Sequence, residues 1–330
     1  MKNIGVIGAG SWGMALAQLL STNGHVVTVW SIIEDEIKML KEKHEHVDKL
    51  PGVKLNDSIV YTTDLKEACT DKDVIVLAVP SPFTRSTSHN MREYIADGQI
   101  IVNVAKGIEE TTLMTLSAII EEEIPQAKVA VLSGPSHAEE VGRGIPTTIV
   151  VGSDDLDIAE YLQNIFMSDV FRVYTSTDVL GIELGAALKN VVALAAGIAD
   201  GLGYGDNTKA ALITRGITEI ARLGVKMGGQ FETFCGLSGI GDLIVTCASM
   251  HSRNRRAGIL IGQGKTYDEA MSEVKMVVEG VYSAKAAMGL SVKYGVDVPI
   301  IEQVNKVLFE GKPAAEAMKD LMGRDKKREH

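Results

Sequence analysis

Cysteine is scarce in this chain, with only Cys69, Cys235 and Cys247 among 330 residues. An odd number with no CxxC pair outlines no disulfide framework and points to a reducing compartment. Net positive charge is also missing. Lys plus Arg number 33 against 43 Asp plus Glu, for a formal charge of −10. A diffuse acidic surface repels phosphate, which argues against nucleic acid or an anionic membrane as a general partner. Formal charge is absent from Asn3 to Ile33, and with Lys2 in front this run mimics a secretory leader. Gly5, Gly8, Gly10 and Gly13 interrupt it, and Gln18, Asn23 and His25 sit badly in lipid. Neither a signal peptide nor stable membrane insertion is therefore expected, and the expected location is cytoplasmic. There is no internal repeat, no Pro- or Ser-rich linker and no collagen-like period to the 33 glycines. The glycines should mark backbone positions of local importance.

What is present is an ordinary globular composition, 45% apolar and 23% charged, in a length that suits two domains. Short β-rich runs occur at Ile4–Ile7, Val26–Trp30, Val74–Val79, Ile100–Val104, Val129–Leu132 and Thr148–Val151. Helical patterns begin near Trp12, Glu34 and Thr112. This alternation predicts a doubly wound, mostly parallel α/β sheet in residues 1–180. From Gly181 onward no strand is convincing, and Ala-, Leu- and Val-rich segments broken by Gly predict an all-α domain over 181–330. Pro313 suits the start of a last helix. The closing run Arg324–His330 reads as a solvated tail.

Gly8-Ala9-Gly10-Ser11-Trp12-Gly13 follows an expected strand and opens an expected helix, with a second strand ending at Trp30. In that context GxGxxG reads as the phosphate turn of a Rossmann-type dinucleotide site. Gly8 allows the tight turn, Gly10 the approach of a pyrophosphate, and Gly13 close packing of helix on strand. The helix N-terminus adds free N–H groups and partial positive charge. After the second strand, Ser31-Ile32-Ile33 precedes Glu34, so neither the acid that favours NAD nor the base that accepts NADP stands cleanly in place.

Ligands of open parallel sheets sit beyond the carboxyl ends of the strands. Three such ends stand out. Val79-Pro80-Ser81-Pro82 stops a strand abruptly, Lys106 stands just past another, and Ser133-Gly134-Pro135-Ser136 ends a third. Ser136 with Glu139 fits a capping box. Lys106 is either a solvated loop lysine or a site residue. Lys189 is the sole charge between Glu183 and Asp200. It either snorkels to the rim or is held buried for proton transfer. Asp242 follows a Gly-rich turn with Thr246 on the same helical face, and reads either as a cap or as a partner for Lys189. Ser252-Arg253-Asn254-Arg255-Arg256 packs three guanidinium groups with two short polar residues, a pattern suited to phosphate. No metal site is expected.

These stretches closely resemble bacterial NAD(P)-dependent glycerol-3-phosphate dehydrogenases. The resemblance rests on GAGSWG from Gly8, VAKGIE from Val104, LSGPSHAEEV from Leu132 and ALKNVVALAAGIADGLGYGDN from Ala187. It continues through GLSGIGDLIVTC from Gly236, HSRNRRAG from His251 and MVVEGV from Met276. It implies reversible reduction of dihydroxyacetone phosphate to sn-glycerol 3-phosphate with NAD or NADP, for phospholipid synthesis. It further implies Lys189 as proton donor and acceptor, with Asp242 positioning it or a substrate hydroxyl. Substrate contacts would be Lys106, Gly134, Ser136, Lys189, Asp242, Ser252, Arg253 and Asn254. Besides Gly8, Gly10 and Gly13, cofactor contacts would be Ser11, Trp12, Lys106, Ala138, Arg253, Val277 and Glu279. Ile32-Ile33 departs from the basic residues that similar proteins often carry there. Oligomeric state stays open, a homodimer included. The rival readings are a 3-hydroxyacid dehydrogenase of similar plan, with less need of the Arg253 cluster, and a dinucleotide-binding regulator without catalysis, with no need of Lys189 and Asp242.

Overall fold

The computed structural model describes residues 1–326, 328 and 329, so Lys327 and His330 of the expected tail lie outside the described residues. Among the described residues, eight strands form one sheet. They are β1 (Asn3–Ile7), β2 (Val26–Trp30), β3 (Val60–Thr62), β4 (Val74–Leu77), β5 (Ile100–Asn103), β6 (Lys128–Ser133), β7 (Thr147–Gly152) and β8 (Phe171–Ser176). Their spatial order is β3-β2-β1-β4-β5-β6-β7-β8. Every neighbouring pair is parallel except β6 and β7. Continuous apolar runs such as Val74-Ile-Val-Leu77, fully buried, are what a sheet covered on both faces requires. The chain winds outward from β1 through β2 to β3, then returns to lay β4 on the other side of β1. That reversal creates the crevice at which doubly wound sheets bind ligands.

β3 and β8 were not anticipated, and both are edge strands. In β8, buried Phe171 and Val173 alternate with exposed Arg172 and Tyr174. In β3, Val60 is exposed while Tyr61 and Thr62 are buried. A half-covered strand carries fewer apolar residues, so it resembles loop until its neighbour is known.

The chain divides into two compact units. The first comprises Met1–Lys106 and Met114–Glu183, and the second Gly107–Leu113 and Leu184–His330. The short Gly107–Leu113 excursion is something one boundary near residue 180 does not express. Within the second unit it is held by the Lys285–Glu110 ion pair at 3.2 Å. Leu113 also lies so close to Gly289 that a Cβ there would stand 2.8 Å from it.

The second unit is helical among its described residues. Residues 181–199, within the helix Val179–Gly201, are all buried. A helix apolar on every side is an interior helix. It is long and apolar enough to cross a membrane, yet 89% of its most apolar window is buried inside the protein. A second apolar stretch, Phe231–Ala248, is 39% buried and consists of three successive helical pieces.

Glycines let a second helix, Arg253–Gly262, lie directly on the first. A Cβ on Gly197 would stand 2.2 Å from the Arg255 carbonyl oxygen, and one on Gly258 2.3 Å from that of Leu194. The pair Gly201 and Gly262 repeats this contact one turn further on. Two GxxxG segments thus bring two backbones together and fix the Lys189 helix against the Arg253 helix from Arg255 to Gly262.

Candidate functional site

In the first unit the Gly-rich turn occupies the reversal point. Gly8 follows β1 with φ +119°, and its amide donates to the Trp30 carbonyl at 2.9 Å. A Cβ on Gly8 would stand 2.9 Å from the Ala78 backbone just beyond β4, and one on Gly13 would be 2.0 Å from the Gly8 carbonyl oxygen. At Gly10, by contrast, a Cβ would meet no described atom within 4 Å beyond its own stretch of chain. Gly10 is the N-cap of the helix Ser11–Thr22, which has no side-chain cap and no acid in its first turn. The Ser11, Trp12 and Gly13 amides therefore point out of the helix end without intrahelical acceptors. The Ser11 hydroxyl donates to the Lys49 carbonyl at 2.7 Å, and the indole Nε1 of Trp12 is buried with no partner among the described residues. An uncapped helix end, an orphaned indole N–H and open space over Gly10 fit the pyrophosphate of a dinucleotide.

Lys106, Gly134 and Ser136 converge in the same unit. Lys106 Nζ donates to the Gly134 carbonyl at 3.0 Å, and the Ser136 hydroxyl donates to the same oxygen at 2.9 Å. Gly134 has φ +148°, and a Cβ there would press on Ile149 at 3.1 Å, so only glycine fits the turn well. The capping box expected at Ser136 and Glu139 is absent. The helix Ala138–Gly142 starts one residue later than that box requires, with His137 as N-cap and no side-chain cap, and the Ser136 hydroxyl donates to Gly134. Ala138 opens that helix, which packs on the Ser11–Thr22 helix.

Two residues that sequence reasoning missed hold the Lys106 loop. The Asn103 side chain accepts from the Ala105 amide at 3.1 Å and donates to the Ala105 carbonyl at 3.2 Å. Its Nδ2 also donates to the buried Glu183 carboxyl at 3.3 Å. Glu183 accepts from the Ser117 amide at 3.0 Å and the Ser117 hydroxyl at 2.5 Å. Burial pushes the Glu183 carboxyl up, against those hydrogen bonds from Ser117, Thr115 and Asn103. The available signal was a lone acid at the head of an apolar helix.

In the second unit Lys189 is 4% exposed and Asp242 2%, so the lysine does not snorkel. Lys189 Nζ lies 2.9 Å from Asp242 Oδ1 and donates to Thr246 Oγ1 at 2.6 Å. The Thr246 hydroxyl in turn donates to the Asp242 carbonyl at 2.6 Å, which leaves its lone pairs facing the ammonium. Asp242 opens the helix Asp242–Ala248 without capping it. Burying an ammonium is costly unless a counter-ion and hydrogen bonds replace water, and this arrangement supplies both.

Ser252 caps the helix Arg253–Gly262, accepting from the Arg255 amide at 3.2 Å. Asn254 Nδ2 donates to Asn190 Oδ1 at 2.9 Å, and its Oδ1 accepts from the Gly280 amide at 2.8 Å, which ties it to the neighbour of Lys189. Arg253 Nη1 donates to the Val277 carbonyl at 2.9 Å, close in sequence to Glu279, which opens the helix Glu279–Tyr294. The three guanidinium groups do not act as one set. Arg255 is committed to Asp200, through Nε at 2.8 Å and Nη2 at 2.7 Å. Among the described residues, no three His, Cys, Asp or Glu side chains gather as a metal site.

Comparison with known proteins covers both units. The N-terminal profile of NAD-dependent glycerol-3-phosphate dehydrogenase matches residues 3–159, and the C-terminal profile matches residues 178–319. The chain belongs to the NAD-dependent glycerol-3-phosphate dehydrogenase family. A glycerol-3-phosphate dehydrogenase (NAD(P)+) of Agathobacter rectalis is 67% identical over 330 residues, covering 100% of this chain and 98% of the relative. That of Bacillus subtilis is 52% identical over 332 residues, covering 100% and 96%. The crystal structure of the glycerol-3-phosphate dehydrogenase of Coxiella burnetii superposes with a TM-score of 0.95 at 34% identity, covering 98% of this chain and 99% of that one. Membership in this dehydrogenase family agrees with the Rossmann-type sheet and the glycine-rich turn of the first unit.

Proposed function

We propose that the chain catalyses the reversible reduction of dihydroxyacetone phosphate to sn-glycerol 3-phosphate with NADH or NADPH, and that Lys189 is its proton donor and acceptor. The observation that carries the reading is the buried Lys189 ammonium, 2.9 Å from Asp242 and 2.6 Å from Thr246, in a chain of this family. The nicotinamide dinucleotide, when bound, supplies or takes the hydride at C2 of the substrate. In reduction Lys189 gives a proton to the C2 oxygen as negative charge develops there. In oxidation the neutral amine takes that proton from the hydroxyl. Asp242 and Thr246 hold Nζ in place, and Asp242 offsets the charge that burial would otherwise leave uncompensated.

The Arg253 guanidinium, the Ser252 hydroxyl and the Asn254 amide take the substrate phosphate, and Lys106, beside Gly134 and Ser136, adds positive charge. Ser11, Trp12, Ala138, Val277 and Glu279 contact the cofactor. A net charge of −10 then describes the average surface, while cationic side chains serve the phosphate locally. The cellular role in this reading is supply of the glycerol phosphate backbone of phospholipids. It takes place in the cytoplasm without nucleic acid or membrane insertion; burial of the most apolar helix inside the protein bears on the last of these alone.

The test is Lys189→Ala, with dihydroxyacetone phosphate and reduced cofactor followed at the nicotinamide absorbance. Turnover should fall by about a thousandfold, the scale of a lost general acid, while dinucleotide binding persists. Turnover within tenfold of the parent chain would remove Lys189 from the proton-transfer role.

A further inference from the structure

The end of β2 carries information about which dinucleotide is preferred. In Rossmann-type folds the adenosine ribose meets the chain there. A carboxylate favours the 2′-hydroxyl of NADH, whereas a basic side chain accommodates the 2′-phosphate of NADPH. Here β2 ends at Trp30 and is followed by Ser31-Ile32-Ile33-Glu34-Asp35-Glu36. No cation occurs in that stretch. Ile32 is 77% and Ile33 47% exposed, and neither side chain can donate a hydrogen bond.

The first turn of the helix Glu34–Lys43 consists of three acids, which take up the partial positive charge of its own N-terminus. Its lysines, Lys38, Lys41 and Lys43, come later along the helix. Glu36 accepts from the Ser31 hydroxyl at 2.8 Å and pairs with Lys49 and His46. Burial pushes its carboxyl up, but hydrogen bonds from His46, Lys49 and Ser31 outweigh this and hold it at about 2, so Glu36 stays ionised. Lys49 is the lysine anchored to the Gly-rich turn, its carbonyl accepting from Ser11 at 2.7 Å, and its ammonium is engaged by Glu36. The Ile33 amide, which could serve an anion at the helix start, donates to Ser31 Oγ at 3.2 Å.

Resting on the function proposed above, we propose that this chain selects NADH and disfavours NADPH at the end of β2. Glu34 and Asp35 repel the 2′-phosphate, Glu36 withholds the Lys49 ammonium from it, and Ile32 and Ile33 offer it no donor. Two readouts follow that need no turnover. The binding preference for NADH should grow as ionic strength falls, because screening of the repulsion weakens. It should also shrink when cations are placed at the two exposed isoleucines.

The experiment titrates the purified full chain with NADH and with NADPH, following energy transfer from Trp12 and Trp30 to the reduced nicotinamide at low and at high salt. For the parent chain, Kd for NADPH should be at least tenfold weaker at low salt, with a smaller gap at high salt. In the Ile32→Arg/Ile33→Arg variant, whose changes are on the surface, NADPH should tighten by about tenfold while NADH changes little. Equal affinities in the parent chain, or a gap that neither salt nor the double variant moves, overturn the preference alone. Binding of neither dinucleotide overturns the proposed function and the preference with it.

Discussion

A methyl group added at Gly10 would meet no described atom within 4 Å beyond its own stretch of chain, whereas one added at Gly258 would stand 2.3 Å from the Leu194 carbonyl oxygen. Both positions demand glycine in this reading, for opposite reasons. The first-unit turn keeps space open beside free helix amides, so that a ligand can use the backbone itself as its anion receptor. The GxxxG segments of the second unit use the missing side chains to bring two helices into backbone contact. The close pair then holds buried Lys189 on one helix near Ser252, Arg253 and Asn254 at the start of the other, where Asn254 bonds Asn190. One unit handles charge with amides, the other with an ion pair whose geometry depends on packing.

The largest effect should come from closing the helix contact. Gly258→Ala places its Cβ against the Leu194 carbonyl and 2.9 Å from Gly197 Cα, both backbone atoms that cannot rotate away. The variant should lose about 3–5 kcal/mol, seen in a thermal melt as a Tm lowered by about 10 °C. A parental Tm would show that the two helices do not need this approach. The matching change in the turn, Gly10→Ala, should cost only about 1 kcal/mol at the helix cap. Dinucleotide Kd should nevertheless weaken by about tenfold, the equivalent of 1.4 kcal/mol. If the melt moved and the binding isotherm did not, Gly10 would be structural and the contrast would fail.

The smallest effect concerns two carboxyls shifted in opposite directions. In the first unit Glu36 sits at about 2 against an ordinary 4.5, so the stability it lends is present above 4.5 and is lost as pH falls toward 2. In the second unit burial raises Glu219 to about 7, against the amides of Ile300 and Ile301 that it accepts from at 3.0 and 3.5 Å. Its folded form keeps a proton that the unfolded chain has released between 4.5 and 7, so stability falls as pH rises through that window. Glu219→Gln keeps an acceptor for those amides without the ionisation. Melts should show it gaining on the parent chain at pH 8, by about 2–4 °C for each kcal/mol recovered, and matching it at pH 4. A gain of equal size at both values would remove ionisation as the cause.

Legibility followed the range of the interactions. The Gly8–Gly13 turn and the central strands were readable because each depends on residues adjacent in the chain. Edge strands β3 and β8 were not, since their pairing partners supply what their own composition lacks. Lys189 could be singled out as an isolated charge, but whether it snorkelled or was buried depended on Asp242 and Thr246 from a distant helix. Ser136 shows the converse failure. Its spacing to Glu139 suggested a capping box, but the helix starts at Ala138 with His137 in the cap position, and the Ser136 hydroxyl donates to the Gly134 carbonyl. The Arg255 side chain likewise went to Asp200, leaving the expected trio of arginines divided.

Local sequence accounts for the scarcity of cysteine, the acidic net charge, the β/α alternation, the helical second half and the glycine-rich turn. These are properties of composition and short-range periodicity, which the chain carries wherever it is placed. Tertiary structure decided that Lys189 pairs with Asp242, that Asn103 and Glu183 hold the Lys106 loop, and that glycines in the second unit join helices. Each of these depends on groups far apart along the chain, and only packing can take them from water and set them at hydrogen-bonding distance.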